Sequence, residues 1–364
     1  MGLTMAVTPK QDERQMRTAA IVLLLALAAL ALPRRAVAQG QTPFWAGKTV
    51  DLIISTEAGI AFDVTARLAG RHLSRHLPGN PNVVARNMPG AGHIRAANYI
   101  YGQAPKDGTT IGTLLPVFVT SQVIDRSDAI QFDAAKFTWI GSTAWATSTT
   151  YVLASTGVAS IADAKKTQVL MGGTGAGAYS TLFPVILNNL LGTRFKVIAG
   201  YKGTAEINIA LDRGEVQGRA GVPMASIKLE RPEWLRDQKI NIIAQAGLER
   251  DPELPDVPLF IDLATNEESR AVMRLFSADA SLGRPFIAPP GLPQERVEAL
   301  RAAFAATMAD PAFRKDAQDI GSEVVPVTGE KLQAIVADIV ATPQSIVAKA
   351  KQATERGDSV TGAK

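Results

Sequence analysis

Three glycine-rich turns, each set between a β-branched run and an amphipathic stretch, constrain this chain more than any other feature. Thr49–Ile54 reads as a strand, residues 57–61 as a small-residue loop, and residues 62–77 as a helix. A second strand at 82–85 enters Pro89-Gly90-Ala91-Gly92 and a helix over 96–101, and Asp107-Gly108 turns into a third strand at 110–114. Strands at 151–154 and 168–171 then lead into Gly172-Gly173-Thr174-Gly175-Ala176-Gly177 and a helix over 179–191. A strand at 195–198, a helix over 206–212 and a strand over 215–219 follow. Residues 284–291 read as a crossing segment before helices at 293–308, 311–320 and 330–340. Strand–turn–helix succession specifies a parallel sheet covered by helices. Its restart in mid-chain argues for two lobes, as does a length of 364 residues, too great for one ordinary core.

Residues 18–32 contain only apolar residues and one Thr, with Lys10, Arg14 and Arg17 before them and Ala36-Val37-Ala38 after. A basic start, a short apolar core and small residues at a cleavage point make a secretory signal. About 15 apolar residues fall short of the roughly 20 that span a bilayer. Removing residues 1–38, with five basic and two acidic side chains, leaves 33 basic against 32 acidic residues. That balance gives no reason to expect nucleic acid or an anionic membrane as partner. The absence of cysteine removes disulfides, thiol catalysis and thiolate metal sites together.

A glycine turn at a helix start leaves backbone N–H groups and a positive helix end free for an anion. Gly173-Thr174-Gly175-Ala176-Gly177-Ala178 fits the dinucleotide pattern nominally, but the next strand ends in Ala199-Gly200-Tyr201, without the acid that holds a ribose. Asp63 is either a helix cap or a carboxylate lining a cleft. His72 and His76 have metal-pair spacing but lack a third ligand, and a solvated basic face is the expectation. His93, next to Gly92 at a helix start, either faces the cleft or is structural, as a lone His more often is. Arg219 follows a strand among small residues, where it either clamps a carboxylate or serves as a surface or lobe contact. No nucleophile with a base in reach is evident, so no catalytic residue, metal or cofactor is expected.

At these loops the sequence resembles the substrate-binding receptors of tripartite tricarboxylate transporters, the Bug family. The likeness rests on Ala58-Gly59-Ile60-Ala61-Phe62-Asp63, on Asn87-Met88-Pro89-Gly90-Ala91-Gly92, and on Ala104-Pro105-Lys106-Asp107-Gly108-Thr109. It continues through Thr174-Gly175-Ala176-Gly177, Tyr201-Lys202-Gly203-Thr204 and the segment from Gly283 to Pro293. The resemblance implies an α/β, type II periplasmic-binding-protein fold, two α/β lobes around a hinged ligand cleft. Its parts would be a signal peptide at 1–38, a first lobe from 44–148 and 284–354, and a second lobe from 149–283. Carried over by position, the ligand-binding residues are Gly59, Ile60, Ala61, Phe62 and Asp63, with Thr174, Gly175, Ala176, Gly177, Ala178, Tyr179 and Ser180; Arg219 joins them on its own reading. The chain departs from the family where Ile60 and Ala61 replace glycines, Ala178 a hydroxyl residue and Thr181 a common His. A more apolar cleft follows, with Ile60, Phe62 and Tyr179 as walls, and an organic acid with an apolar or aromatic body rather than citrate. The implied protein is a monomeric periplasmic receptor for a small organic carboxylate, partnered by membrane transporter subunits and by no nucleic acid. A ligand sensor of the same fold, or a periplasmic α/β enzyme, are the alternatives.

Overall fold

The computed structural model describes Gly2 and residues 42–362, apart from Arg126, Ala146, Ala176 and Glu323. Of the expected signal peptide, all but Gly2 lies outside the described residues.

The chain from Phe44 begins with β1 (Thr49–Ile54), α1 (Ala61–His76), β2 (Asn82–Asn87), α2 (Ile94–Gly102), β3 (Thr110–Thr113), α3 (Val117–Ile124) and β4 (Thr138–Ser142). It continues through β5 (Ser148–Leu153), α4 (Ile161–Ala164), β6 (Val169–Gly173), α5 (Tyr179–Leu191), β7 (Phe195–Ala199), α6 (Thr204–Asp212) and β8 (Gly218–Pro223). Next come α7 (Met224–Glu230), α8 (Pro232–Arg236), β9 (Ile240–Ala246) and α9 (Glu267–Ser281). The return comprises β10 (Pro285–Ala288), α10 (Gln294–Ala309), α11 (Pro311–Asp319), β11 (Val327–Thr328), α12 (Gly329–Val340), α13 (Gln344–Ala353) and β12 (Val360–Gly362).

These strands form two six-stranded sheets, ordered β11-β4-β10-β3-β1-β2 and β12-β7-β6-β8-β5-β9. Each has a parallel half built from strand–turn–helix units: β1 pairs in parallel with β2 and β3, and β6 with β7 and β8. The crossing strands run the other way, β10 and β11 in the first sheet and β5 in the second, while β4 runs with β1–β3. This is a two-lobed α/β plan. Parallel strands put all their βα turns at one end of each sheet, which is why the glycine turns meet across one opening.

Local packing explains the elements. Helix α1 buries Phe62, Ala66, Ala69 and Leu73 against Leu52 and Ile54 of β1. Each large apolar side chain so buried contributes about 1.5–3 kcal/mol. The strand expected at 215–219 starts later, at Gly218, because the Glu215 and Val216 N–H groups donate to Ala210 O and belong to the turn that closes α6. His72 corrects a second expectation. It is 2% exposed rather than solvated, with Nε2 2.9 Å from Asp316 Oδ2, while His76 Nε2 lies 3.2 Å from Asp310 Oδ2. The α10–α11 hairpin covers this face of α1, which local sequence does not reveal. Among the described residues, no three or more such side chains are grouped closely enough to hold a metal ion.

Candidate functional site

The βα turns of both sheets meet at a cleft of about 1020 Å³. One wall comes from the first lobe: Ile60, Ala61 and Phe62 at the start of α1, residues 91–94 at the start of α2, and Leu115, Pro116 and Val117 at the start of α3. The other comes from the second lobe: Thr174 and residues 177–180 before and within α5, residues 202–205 at the start of α6, Arg219 and Gly221 of β8, and Glu230 at the end of α7.

The first loop is held by its own carboxylate. Asp63 accepts hydrogen bonds from the Gly59 N–H at 2.9 Å, from Arg67 Nε at 3.0 Å and from Asn87 Nδ2 at 2.7 Å. Burial pushes the Asp63 carboxyl up, but the bonds from Arg67, Gly59 and Asn87, with the Arg67 charge, outweigh it and hold it below its ordinary value. Asn87 also donates to Thr56 O, so one polar cluster fastens the start of α1 to β2. Ile60, at the cap position, has no side-chain cap, and Asp63 instead reaches back to the residue before it.

The second turn of this lobe is strained. Gly90, Ala91, Gly92 and His93 all hold positive φ, at 49° for Ala91 and 75° for His93. Such conformations cost non-glycine residues on the order of 1–3 kcal/mol and cluster at functional sites. His93 Nδ1 lies 3.0 Å from Ser55 O, an acceptor only, so Nδ1 carries the proton. Burial pushes the imidazole pKa down, against the Ser55 bond, so His93 is a neutral lining group.

In the second lobe the glycine turn is pinned from both sides. The Thr174 N–H donates to Ser180 Oγ at 3.2 Å, and the Gly200 N–H donates to Thr174 O at 2.9 Å. Helices α5 and α6 have Ala178 and Gly203 at their N-terminal cap positions, both without a side-chain cap. Helix starts of this kind carry unsatisfied N–H groups and a partial positive charge. Gly221, at φ +74°, lets β8 lie against α5, since a Cβ there would sit 2.6 Å from Tyr179 Cβ. Tyr179 stacks on Phe183 at 4.8 Å and donates its hydroxyl to Asp279 Oδ2 at 2.6 Å.

Residues 65–351 match the tripartite tricarboxylate transporter family receptor, TctC. The chain belongs to that family. A UPF0065 protein of Bordetella bronchiseptica is 26% identical over 320 residues, 85% of each chain. A TctC solute-binding protein from Polaromonas superposes with a TM-score of 0.64 at 22% identity, over 83% of this chain and 98% of its own. Rpa4515 of R. palustris, solved with adipate, gives 0.58 at 22% identity, over 85% and 98%.

Among the residues expected at the receptor's site, Ile60, Ala61, Phe62, Thr174, Gly177, Ala178, Tyr179, Ser180 and Arg219 line the cleft. Gly59, Asp63 and Gly175 are not among its lining residues. Gly59 and Asp63 brace the loop behind the wall, and Ala176 lies outside the described residues. Thr181, where the family pattern has His, is fully buried beneath the glycine turn. The reading of site residues missed Lys202, Gly203 and Thr204, although their Tyr-x-Gly element was visible, and missed Leu115, Pro116 and Val117 altogether. A β run stopped by Pro116 ahead of an apolar helix is the same strand–turn–helix signal, only without glycines.

Proposed function

We propose that this receptor works in the periplasm as a monomer, closing its two lobes on a small organic carboxylate and presenting it to membrane transporter subunits. The observation that carries this reading is the cleft itself, where both walls are made of helix starts and the second lobe supplies two without side-chain caps. An anion that touches both walls stabilises the closed state, because neither lobe alone satisfies it. The adipate bound by the R. palustris protein supports a carboxylate as the ligand class. The chain is read as a binder rather than an enzyme: His93 is neutral and its Nδ1 proton is committed to Ser55, and no nucleophile–base pair is assembled from it.

The test is thermal shift on the purified protein, stripped of endogenous ligand by unfolding and refolding, against mono-, di- and tricarboxylates. Binding to the folded state alone adds about 2.7 kcal/mol at a 100-fold excess over Kd. A saturable rise in Tm with one acid, accompanied by a smaller radius of gyration, is the expected result. No shift with any carboxylate would remove anion capture as the function.

A further inference from the structure

Arg219 is a buried cation that the fold does not neutralise. It is 7% exposed and lines the cleft from β8. Nη2 donates to Thr204 Oγ1 at 2.8 Å, Nη1 to Asn208 Oδ1 at a long 3.5 Å, and Nε has no partner. Among the described residues no carboxylate forms an ion pair with it. Glu230 lines the same cleft but makes no ion pair with Arg219; Asn208 lies between them, its Nδ2 donating to Glu230 Oε2 at 2.7 Å. The Tyr151 hydroxyl is no counter-charge either: burial pushes its pKa up to about 12, against the pull of Arg219.

A guanidinium does not escape this cost by losing its proton. An isolated buried charge costs several kcal/mol unless an opposite charge shares the site. The starts of α5 and α6 open onto the same wall. The facing wall of the first lobe is of another kind, with Ile60, Phe62, Leu115, Pro116 and Val117, and no Lys or Arg. Its titratable lining groups are Asp125, which repels an anion, and His93, held neutral by burial.

We propose that Arg219 is the anion anchor of the second lobe, and that the ligand is an acid charged at one end only. Its carboxylate meets the guanidinium fork and its apolar body lies against Ile60, Phe62 and Val117. This rests on the carboxylate-capture reading and narrows it, since a dicarboxylate would press its second charge onto an apolar wall beside Asp125.

Matched probes separate the possibilities by calorimetry on the stripped protein: hexanoate, adipate and hexanamide, with benzoate, terephthalate and benzamide beside them. The expected order is hexanoate and benzoate tightest, the diacids at least about tenfold weaker, and the amides without measurable binding. Arg219→Gln should weaken hexanoate or benzoate by about 100-fold, with the Tm of the ligand-free protein unchanged or raised, and Arg219→Lys should retain part of the affinity. Adipate binding more tightly than hexanoate, amides binding as well as acids, or an unchanged affinity in Arg219→Gln would each overturn the proposal. The amide and diacid comparisons need no variant, so they decide the matter even where Arg219→Gln does not fold. Silence from every anion, with malate and citrate added to the panel, would instead sink the capture reading itself.

Discussion

The hydroxyl of Tyr179, a cleft residue, donates to Asp279 on α9 at 2.6 Å, where the carboxylate has no exposed surface. Burial drives the Asp279 carboxyl up to about 7, and the Tyr179 hydroxyl, with Thr120 alongside, offsets only part of this. The wall of the ligand cleft is thus joined to a titrating group near the end of the helix that leads back to the first lobe.

Asp279 makes stability depend on pH in a definite direction. Its folded pKa is raised, so the folded state holds the proton more tightly than the unfolded chain. The stabilisation is fully present below pH about 4 and declines as pH rises to about 7. Asp279→Asn keeps an acceptor for Tyr179 and removes the charge. Melting curves from pH 4 to 8 should show the variant gaining on the wild type by on the order of 2–4 kcal/mol at the upper end. Parallel curves for the two proteins would mean that Asp279 does not titrate in this range.

Asp63 acts in the opposite sense. Its folded pKa is lowered, so its contribution is present above the ordinary carboxylate range and disappears as pH falls through the folded value. Asp63→Ala leaves the Gly59 N–H and Asn87 Nδ2 without this acceptor and removes the pairing with Arg67. A loss of about 3 kcal/mol in denaturant unfolding at pH 7 is expected, shrinking below pH 4. A variant as stable as wild type at pH 7 would show that the loop does not need this brace.

Two glycines of the second lobe should behave differently. Gly221→Ala puts a methyl 2.6 Å from Tyr179 Cβ at a φ of +74°, whereas a Cβ on Gly175 meets nothing within 4 Å. Gly221→Ala should cost about 1–3 kcal/mol and displace Tyr179, and Gly175→Ala should stay within about 0.5 kcal/mol of wild type. Equal Tm values for the two variants would contradict the close approach of β8 to α5.

Much of the architecture was legible because its signals are local. The strand at Thr49–Ile54 and the helix at Tyr179–Leu191 coincide with the structure, each being set by period and by a bounding glycine turn. Strand β12 was not legible, since three residues, Val360–Gly362, carry no period and become a strand only by pairing with β7. The start of β8 was misjudged because Glu215 and Val216 are β-compatible in composition but hydrogen-bonded to the preceding helix.

The sequence by itself determined the order of strand, turn and helix and the presence of small residues where helices begin. Those follow from backbone sterics and from side-chain period, which neighbouring residues settle among themselves. Only the tertiary structure decided what the polar residues do. His72 is buried because α11, some 240 positions away, supplies Asp316. Asp63 braces a loop because Asn87 on β2 lies beside it. Arg219 stands in the cleft wall without a counter-charge, and Asp279 meets Tyr179 across 100 residues. Whether a charged group caps, pairs or waits for a ligand depends on burial and on partners, and distant segments set both.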